Sequence, residues 1–229
     1  MDIYELIGII IGDGHIIFDP KESQYRLEIF GNASEDNEYF NDIADFIEKL
    51  IKIRPHIRRR SGKEANCLVL YINNKGLIEH LINGFRLPYG NKTYNVKIPK
   101  NLVNWKFSRN IIRGIFESDG SLYFSRIKNH KYPKYPRVTI RSVSKSLIKQ
   151  LKWILEKKGF SVHKHKDKNG LAIKLYISGY FMFNKWLKEI GFSNPKTISK
   201  ILLRNKLGYY IPRISYSERL KILSMSKIN

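Results

Sequence analysis

The 229-residue chain is poor in three things: cysteine, long apolar runs, and acidic residues in its second half. One cysteine, Cys67, excludes an internal disulfide and any cysteine-rich zinc module, and fits a reducing compartment. The apolar stretch Leu6-Ile7-Gly8-Ile9-Ile10-Ile11-Gly12 follows Asp2 and Glu5 rather than basic residues, and Asp13 ends it. It is not built like a secretory leader and falls well short of the ~20 residues needed to span a bilayer. Acid is scarce in an uneven way. Lys and Arg total 42 against 20 Asp and Glu, a formal charge of +22. Residues 1–105 hold 14 of each sign, whereas residues 106–229 hold 28 basic and 6 acidic. Such a charge opposes compaction and calls for a polyanionic partner, most often nucleic acid. A hydrophobic content of 42% excludes a disordered basic tail. The expectation is an intracellular nucleic-acid-binding protein, with no membrane partner, that builds one large core or two domains of about 100–120 residues.

The chain repeats itself. Residues 6–14 read LIGIIIGDG and residues 112–120 read IRGIFESDG, aligning Gly8 with Gly114, Asp13 with Asp119 and Gly14 with Gly120 at an offset of 106. Two strand-like runs follow each copy: His15–Asp19 and Tyr25–Asn32, then Leu122–Lys128 and Arg137–Val143. Helical spacing follows Ser34 (Tyr39, Phe40, Ile43, Phe46, Ile47, Leu50) and Ser144 (Leu147, Ile148, Leu151, Ile154, Leu155), each serine a candidate N-cap. A second strand pair comes next in each half, His56–Arg60 with Cys67–Ile72 and Ser161–Lys166 with Leu171–Ser178, and then short helices around Lys75–Phe85 and Tyr180–Ile190. Asn91-Lys92-Thr93 lines up with Pro195-Lys196-Thr197 at an offset of 104. The spacing predicts an α+β fold of two α-β-β-α-β-β-α repeats: residues 1–93, a linker at 94–107, and residues 108–229 with an extra helix near Tyr216–Met225.

Each motif copy begins as an apolar helix with small residues four apart, Gly8/Gly12 and Gly114/Ser118, a spacing that lets two helix backbones approach closely. Gly14 and Gly120 suit a left-handed helix terminus. Asp13 and Asp119 then lie at the negative end of a helix dipole, where a carboxylate is disfavoured. If the helices pair, the two carboxylates converge, and a divalent cation supplies the missing compensation. Oxygen ligands without His or Cys favour Mg²⁺ over zinc and suit phosphodiester hydrolysis.

The two nonapeptides resemble the LAGLIDADG motif of homing endonucleases, and the duplicated element order resembles the single-chain form of that family, from Tyr4 to Lys206. The resemblance implies two pseudo-symmetric repeats, each with an antiparallel sheet forming a DNA-binding saddle, joined at a two-helix interface. It implies that Asp13 and Asp119 bind the catalytic metals, Mg²⁺ with Mn²⁺ as substitute, with the carbonyls of Gly12 and Ser118 near the same ions. The first acidic position of the family motif is Ile11 in one copy and Glu117 in the other, and in the family it caps the helix rather than catalyses. Lys92 and Lys196 match the family's basic residues beside the scissile phosphates.

The strands alternate as sheets with one wet, basic face. Arg26, Glu28 and Asn32 share a face, as do His56, Arg58 and Arg60; Arg137, Thr139 and Arg141; and Lys174 and Tyr176. A two-stranded ribbon can read the major groove through such side chains. Lys128–Pro136 reads as a basic hairpin tip, with Lys128 a candidate DNA contact. Glu35, Asp36, Glu38, Asp42, Asp45 and Glu48 read as the solvated outer face of the first long helix. His163 and His165 share a strand face and lack a nearby third ligand for zinc.

The expected function is a monomeric, site-specific endonuclease of double-stranded DNA. The resemblance adds a long, partly palindromic target, short 3′ overhangs, and a gene residing in an intron or intein. Two other readings share the fold: an intron-RNA maturase and a non-cleaving DNA-binding regulator. Intact acids in both motifs argue against the regulator.

Overall fold

The computed structural model describes residues 1–128, 131–167 and 170–225. The first half runs α1 (Ile3–Asp13), β1 (Gly14–Asp19), β2 (Gln24–Asn32), α2 (Asn37–Ile51), β3 (His56–Arg59), β4 (Cys67–Asn73) and α3 (Lys75–Glu79). The second runs α4 (Trp105–Asp119), β5 (Gly120–Ser125), β6 (Tyr135–Ser142), α5 (Lys145–Lys157), β7 (His163–Lys166), β8 (Ile173–Ser178) and α6 (Tyr180–Glu189), and then adds α7 (Pro195–Leu207) and α8 (Tyr216–Ser224). The duplicated order is as expected. Helix α7 is an addition, and α4 begins inside the stretch read as linker.

Each half folds into a four-stranded antiparallel sheet, ordered β1-β2-β4-β3 and β5-β6-β8-β7. The sheets are equivalent in register. His15, Glu28, Tyr71 and His56 line up across the first sheet. Ser121, Thr139, Tyr176 and His163 line up across the second. On the opposite face, Leu27, Ile29 and Leu70 in one sheet and Val138, Ile140 and Leu175 in the other are buried, so period-two alternation separates core from open face.

Helices α1 and α4 form the centre. Three consecutive β-branched residues, Ile9, Ile10 and Ile11, are poor helix formers, yet all are buried in α1. Burial outweighs propensity here, because α1 is covered on nearly every side. The helix starts at Asp2, whose carboxylate accepts from the Glu5 amide at 2.9 Å. Gly8 and Gly114 form the crossing point: a Cβ on Gly8 would stand 2.9 Å from the Gly114 Cα and closer still to the Ile111 carbonyl. The buried side chains of both halves form one continuous core through this helix pair.

Three local expectations are corrected. Gly14 (φ −85°, ψ 153°) and Gly120 (φ −102°, ψ 172°) are extended rather than left-handed. Glycine is needed there for space: a Cβ would meet the Ile10 Cα at 2.5 Å or the Phe116 Cγ at 2.8 Å, because each helix runs directly into a strand. Ser144 does cap α5, accepting from the Leu147 amide at 3.2 Å, but α2 starts at Asp36, and Ser34 bonds to Asn32 instead. The acidic run is not a uniformly solvated face, because Asp36 is only 6% exposed.

Candidate nuclease centre

The paired helices end side by side and deliver Asp13 and Asp119 to one place. A Cβ on Gly12 would lie 2.8 Å from the Ser118 Cβ and 3.3 Å from Oδ2 of Asp119, so the small residues open the route by which the carboxylates approach. Asp13, Asp119, Gly12, Ser118, Lys92 and Arg141 all line one cleft of about 760 Å³. Burial, and secondarily the charge of Asp13, pushes the Asp119 carboxyl up to about 7, with Lys92 opposing. Burial also raises Asp13. Lys196 and then Lys92 pull it down, while Asp36 pushes it up.

The two lysines are held differently. The Lys92 amine donates to the carbonyls of Ile10 and, at 3.0 Å, Ile11, the unpaired acceptors at the end of α1. Its burial depresses it to about 8, against the pull of Asp119 and Asp13. Lys196 lies in the first turn of α7 and is not part of the cleft lining. Its amine pairs with Asp36 at 2.6 Å. The two matched lysines are thus placed differently, Lys92 in a loop and Lys196 in a helix.

Glu117, at the first acidic position of its motif, is buried against the start of α7. It accepts from the Ser193 amide at 2.9 Å and the Thr197 hydroxyl at 3.1 Å. Burial outweighs these bonds and pushes it up to about 7. It fastens α7 to α4, a role no sequence spacing signalled. Ile11 occupies the matching place in α1 and is buried.

The open sheet faces carry most of the cations expected there. Arg26 is steadied by Asn73 at 2.8 Å, and Arg137, at the equivalent register, by Ser125 at 3.1 Å and Ser178 at 3.3 Å. Arg26 also pairs with Glu28 at 3.5 Å. His56 stacks on Tyr71 and His163 on Tyr176 with the same geometry, 5.1 Å between centroids and 23° between planes. Arg58 lies over Tyr71 at 5.2 Å, Arg60 over Phe30 at 5.2 Å, and Lys174 over Tyr123 at 5.5 Å. Arg141 pairs with Asp167. Lys128 is exposed, while residues 129–130 of the expected hairpin tip lie outside the described residues.

Two candidates are already committed within the protein. Thr139 is 3% exposed and its hydroxyl donates to the Ser121 carbonyl at 3.1 Å, so it is not free to read a base. The Asn32 side-chain oxygen accepts from both the amide and the hydroxyl of Ser34. Among the described residues, no group of three or more His, Cys, Asp or Glu side chains could hold a metal by itself. Nor is any described helix long and apolar enough to cross a membrane.

Comparison with known proteins finds a family model in each half. Residues 106–191 match the model of the LAGLIDADG-like domain, and residues 4–89 match that of the WhiA LAGLIDADG-like domain. Two curated relatives come from Methanocaldococcus jannaschii. Its glutamine–fructose-6-phosphate aminotransferase is 26% identical over 207 residues, 87% of this chain but 17% of that protein. Its replication factor C small subunit is 24% identical over 206 residues, 88% of this chain and 10% of that protein. The chain thus spans only a small part of either relative.

Among solved structures, I-DmoI in complex with DNA and Mn aligns at a TM-score of 0.56 with 18% identity, covering 83% of this chain and 96% of that one. The homing endonuclease I-WcaI bound to its DNA recognition sequence aligns at 0.55 with 17% identity, covering 83% and 85%. A mutant of I-SmaMI aligns at 0.56 with 11% identity, covering 97% of both chains. At these identities the likeness is one of fold: two repeats about a helix pair.

Proposed function

This chain, with two LAGLIDADG-like domains in tandem, belongs to the LAGLIDADG family, and we propose that it is a site-specific endonuclease of double-stranded DNA. One observation carries the reading: two half-buried carboxylates, Asp13 and Asp119, line one cleft where the central helices end between two cation-bearing sheets. Solved structures of the same fold include the homing endonuclease I-DmoI, also in complex with DNA and Mn, and the homing endonuclease I-WcaI bound to its DNA recognition sequence.

The donor chemistry fits a divalent ion. Burial and mutual repulsion leave Asp119 poorly compensated. Two carboxylates suit Mg²⁺, which completes its shell with water and substrate phosphate. Asp13 and Asp119 would hold it, with the Gly12 and Ser118 carbonyls as neighbours and Mn²⁺ as substitute. When bound, the ion supplies Lewis-acid polarisation of phosphate and acidification of water. Lys92 and Lys196 stabilise charge on the phosphate being cut. Arg26, Arg58, Arg60, Arg137 and Lys174 fix the duplex by its backbone and base edges. Both motifs lie on one chain, so a monomer suffices, with residues 1–93 and 108–229 serving opposite halves of a partly palindromic site.

The curated relatives bear unrelated names yet match this chain over 207 and 206 residues. A segment shared by unrelated proteins behaves as an inserted module, which favours a mobile element coded within an intron or intein. The test is incubation with DNA of the uninterrupted host gene. Mg²⁺-dependent double-strand cutting with short 3′ overhangs is expected, and EDTA should abolish it. The match of the first domain to the WhiA-type model supports a second reading, a DNA-binding regulator that does not cut. Tight sequence-specific binding without nicking in Mg²⁺ would select it. Splicing stimulation by intron RNA binding would select a maturase instead.

A further inference from the structure

We propose that Asp36, an acid of the first half, positions Lys196 of the second half for cutting one strand of the duplex, so that the two lysines are set by different devices and the two cuts respond differently to mutation. The inference rests on the endonuclease reading above.

Asp36 precedes α2 and is buried. Its Oδ2 accepts from the Asn32 amide at 2.9 Å, within its own half. Its Oδ1 faces the other half, accepting from the Asn194 side chain at 2.9 Å and pairing with the Lys196 amine at 2.6 Å. Asn194 is fully buried, and its own oxygen caps α7 at the Lys196 amide, 3.0 Å away. One carboxylate therefore fixes both the side chain and the helix start of Lys196. The bond to the Lys196 ammonium is charge-assisted, and such bonds are short and directional.

Flanking acids extend the clasp. Glu35 faces Arg219 of α8 at 3.9 Å, and Glu38 accepts from the Tyr216 hydroxyl at 2.5 Å. Arg219, 1% exposed, reaches the Ser199 hydroxyl at 2.8 Å and the Lys196 carbonyl at 3.4 Å. The acidic segment of the first half thus meets cations of the second half around Lys196.

The pseudo-symmetric place in the second half is Ser144, the residue before α5. It carries no charge, and its hydroxyl donates to the Val96 carbonyl at 2.7 Å in the segment after Lys92. Among the described residues Lys92 forms no ion pair, and its amine rests on the carbonyls of Ile10 and Ile11. Both second helices reach across the molecule to the lysine-bearing segment of the other half, but only one brings an anion.

The experiment uses the full chain, with Asp36→Asn as the near-isosteric variant and Asp45→Asn as a control that removes an exposed acid of the same run, paired with Arg54 of its own half. Without DNA, acetylation of the Lys196 amine by an activated ester is followed by mass spectrometry. The Asp36→Asn protein should react about tenfold faster at Lys196, the factor expected for one charge-assisted hydrogen bond. An unchanged rate overturns the proposal whether or not the protein cuts DNA. With Mg²⁺ and a duplex labelled on either strand, Asp36→Asn should slow one cut about tenfold or more relative to the other. Duplex affinity should stay within about twofold, and Asp45→Asn should keep the wild-type strand ratio. Equal slowing of both cuts assigns Asp36 a general structural role and overturns the proposal. So does a wild-type strand ratio in a wild-type-cutting protein. If the unmodified protein cuts neither strand, the endonuclease reading itself fails, and this assignment falls with it.

Discussion

Gly12 and Asp119 belong to different helices in different halves, yet a methyl group on Gly12 would lie within 3.3 Å of the Asp119 Oδ2. The small residues of the two motifs are therefore spacers for the carboxylates as well as packing residues.

The same close approach sets the cost of enlarging Gly8. Its Cβ would stand 2.9 Å from both the Gly114 Cα and the Ile111 carbonyl carbon, backbone atoms that cannot rotate away. Gly8→Ala should cost about 3 kcal/mol or more, the upper range for overpacking, measured by urea unfolding. A change below about 1 kcal/mol would mean the helices can part without penalty.

Without a cation, two acids of the second motif, half-buried Asp119 and buried Glu117, set a pH dependence of stability. Asp119 and Glu117 are both pushed up to about 7, so between their unfolded values near 4 and about 7 the folded chain binds more protons than the unfolded one. Stability contributed by these groups is therefore present at low pH and is lost as pH rises through about 7. In EDTA, melting temperature should fall over this window because of these two acids. Asp119→Asn should flatten part of that fall, and Glu117→Gln another part. A divalent cation should raise the melting temperature more above pH 7 than below it. Identical pH profiles for wild type and Asp119→Asn would contradict this electrostatic account.

Duplex affinity should be dominated by the second half, whose 28 basic residues face only 6 acidic ones. If about eight phosphates are neutralised, log K against log salt has a slope near −7. Arg137→Gln with Lys174→Gln should flatten it by roughly two units. Arg26→Gln should flatten it less than Arg137→Gln alone, because Glu28 already offsets Arg26. Equal changes from the two halves would remove any functional meaning from the charge asymmetry.

The duplicated order of helices and strands was legible because each element repeats in its own period, and a second copy checks the first. The convergence of Asp13 and Asp119 was legible through small residues four apart. The inter-half contacts were not. Asp36 looks like one more acid at a helix start, and only the distant placement of Asn194 and Lys196 makes it buried and paired. Helix α7 was missed because its buried residues, Thr197, Ser199 and Leu203, are mostly polar. They are satisfied by Glu117, Lys196 and Arg219 rather than by apolar packing. Thr139 fell on the correct strand face, but its hydroxyl is used inside the sheet.

The central claim is that Asp13 and Asp119 together make a metal-dependent cutting centre. The most direct measurement compares wild type with Asp13→Asn and Asp119→Asn on the target duplex in Mg²⁺, scoring cleavage and binding in the same samples. The account predicts binding within a few-fold of wild type and cleavage reduced by about 10³-fold or more in each variant, the scale seen when a principal electrostatic catalytic group is removed. Wild-type cleavage by either variant would contradict it.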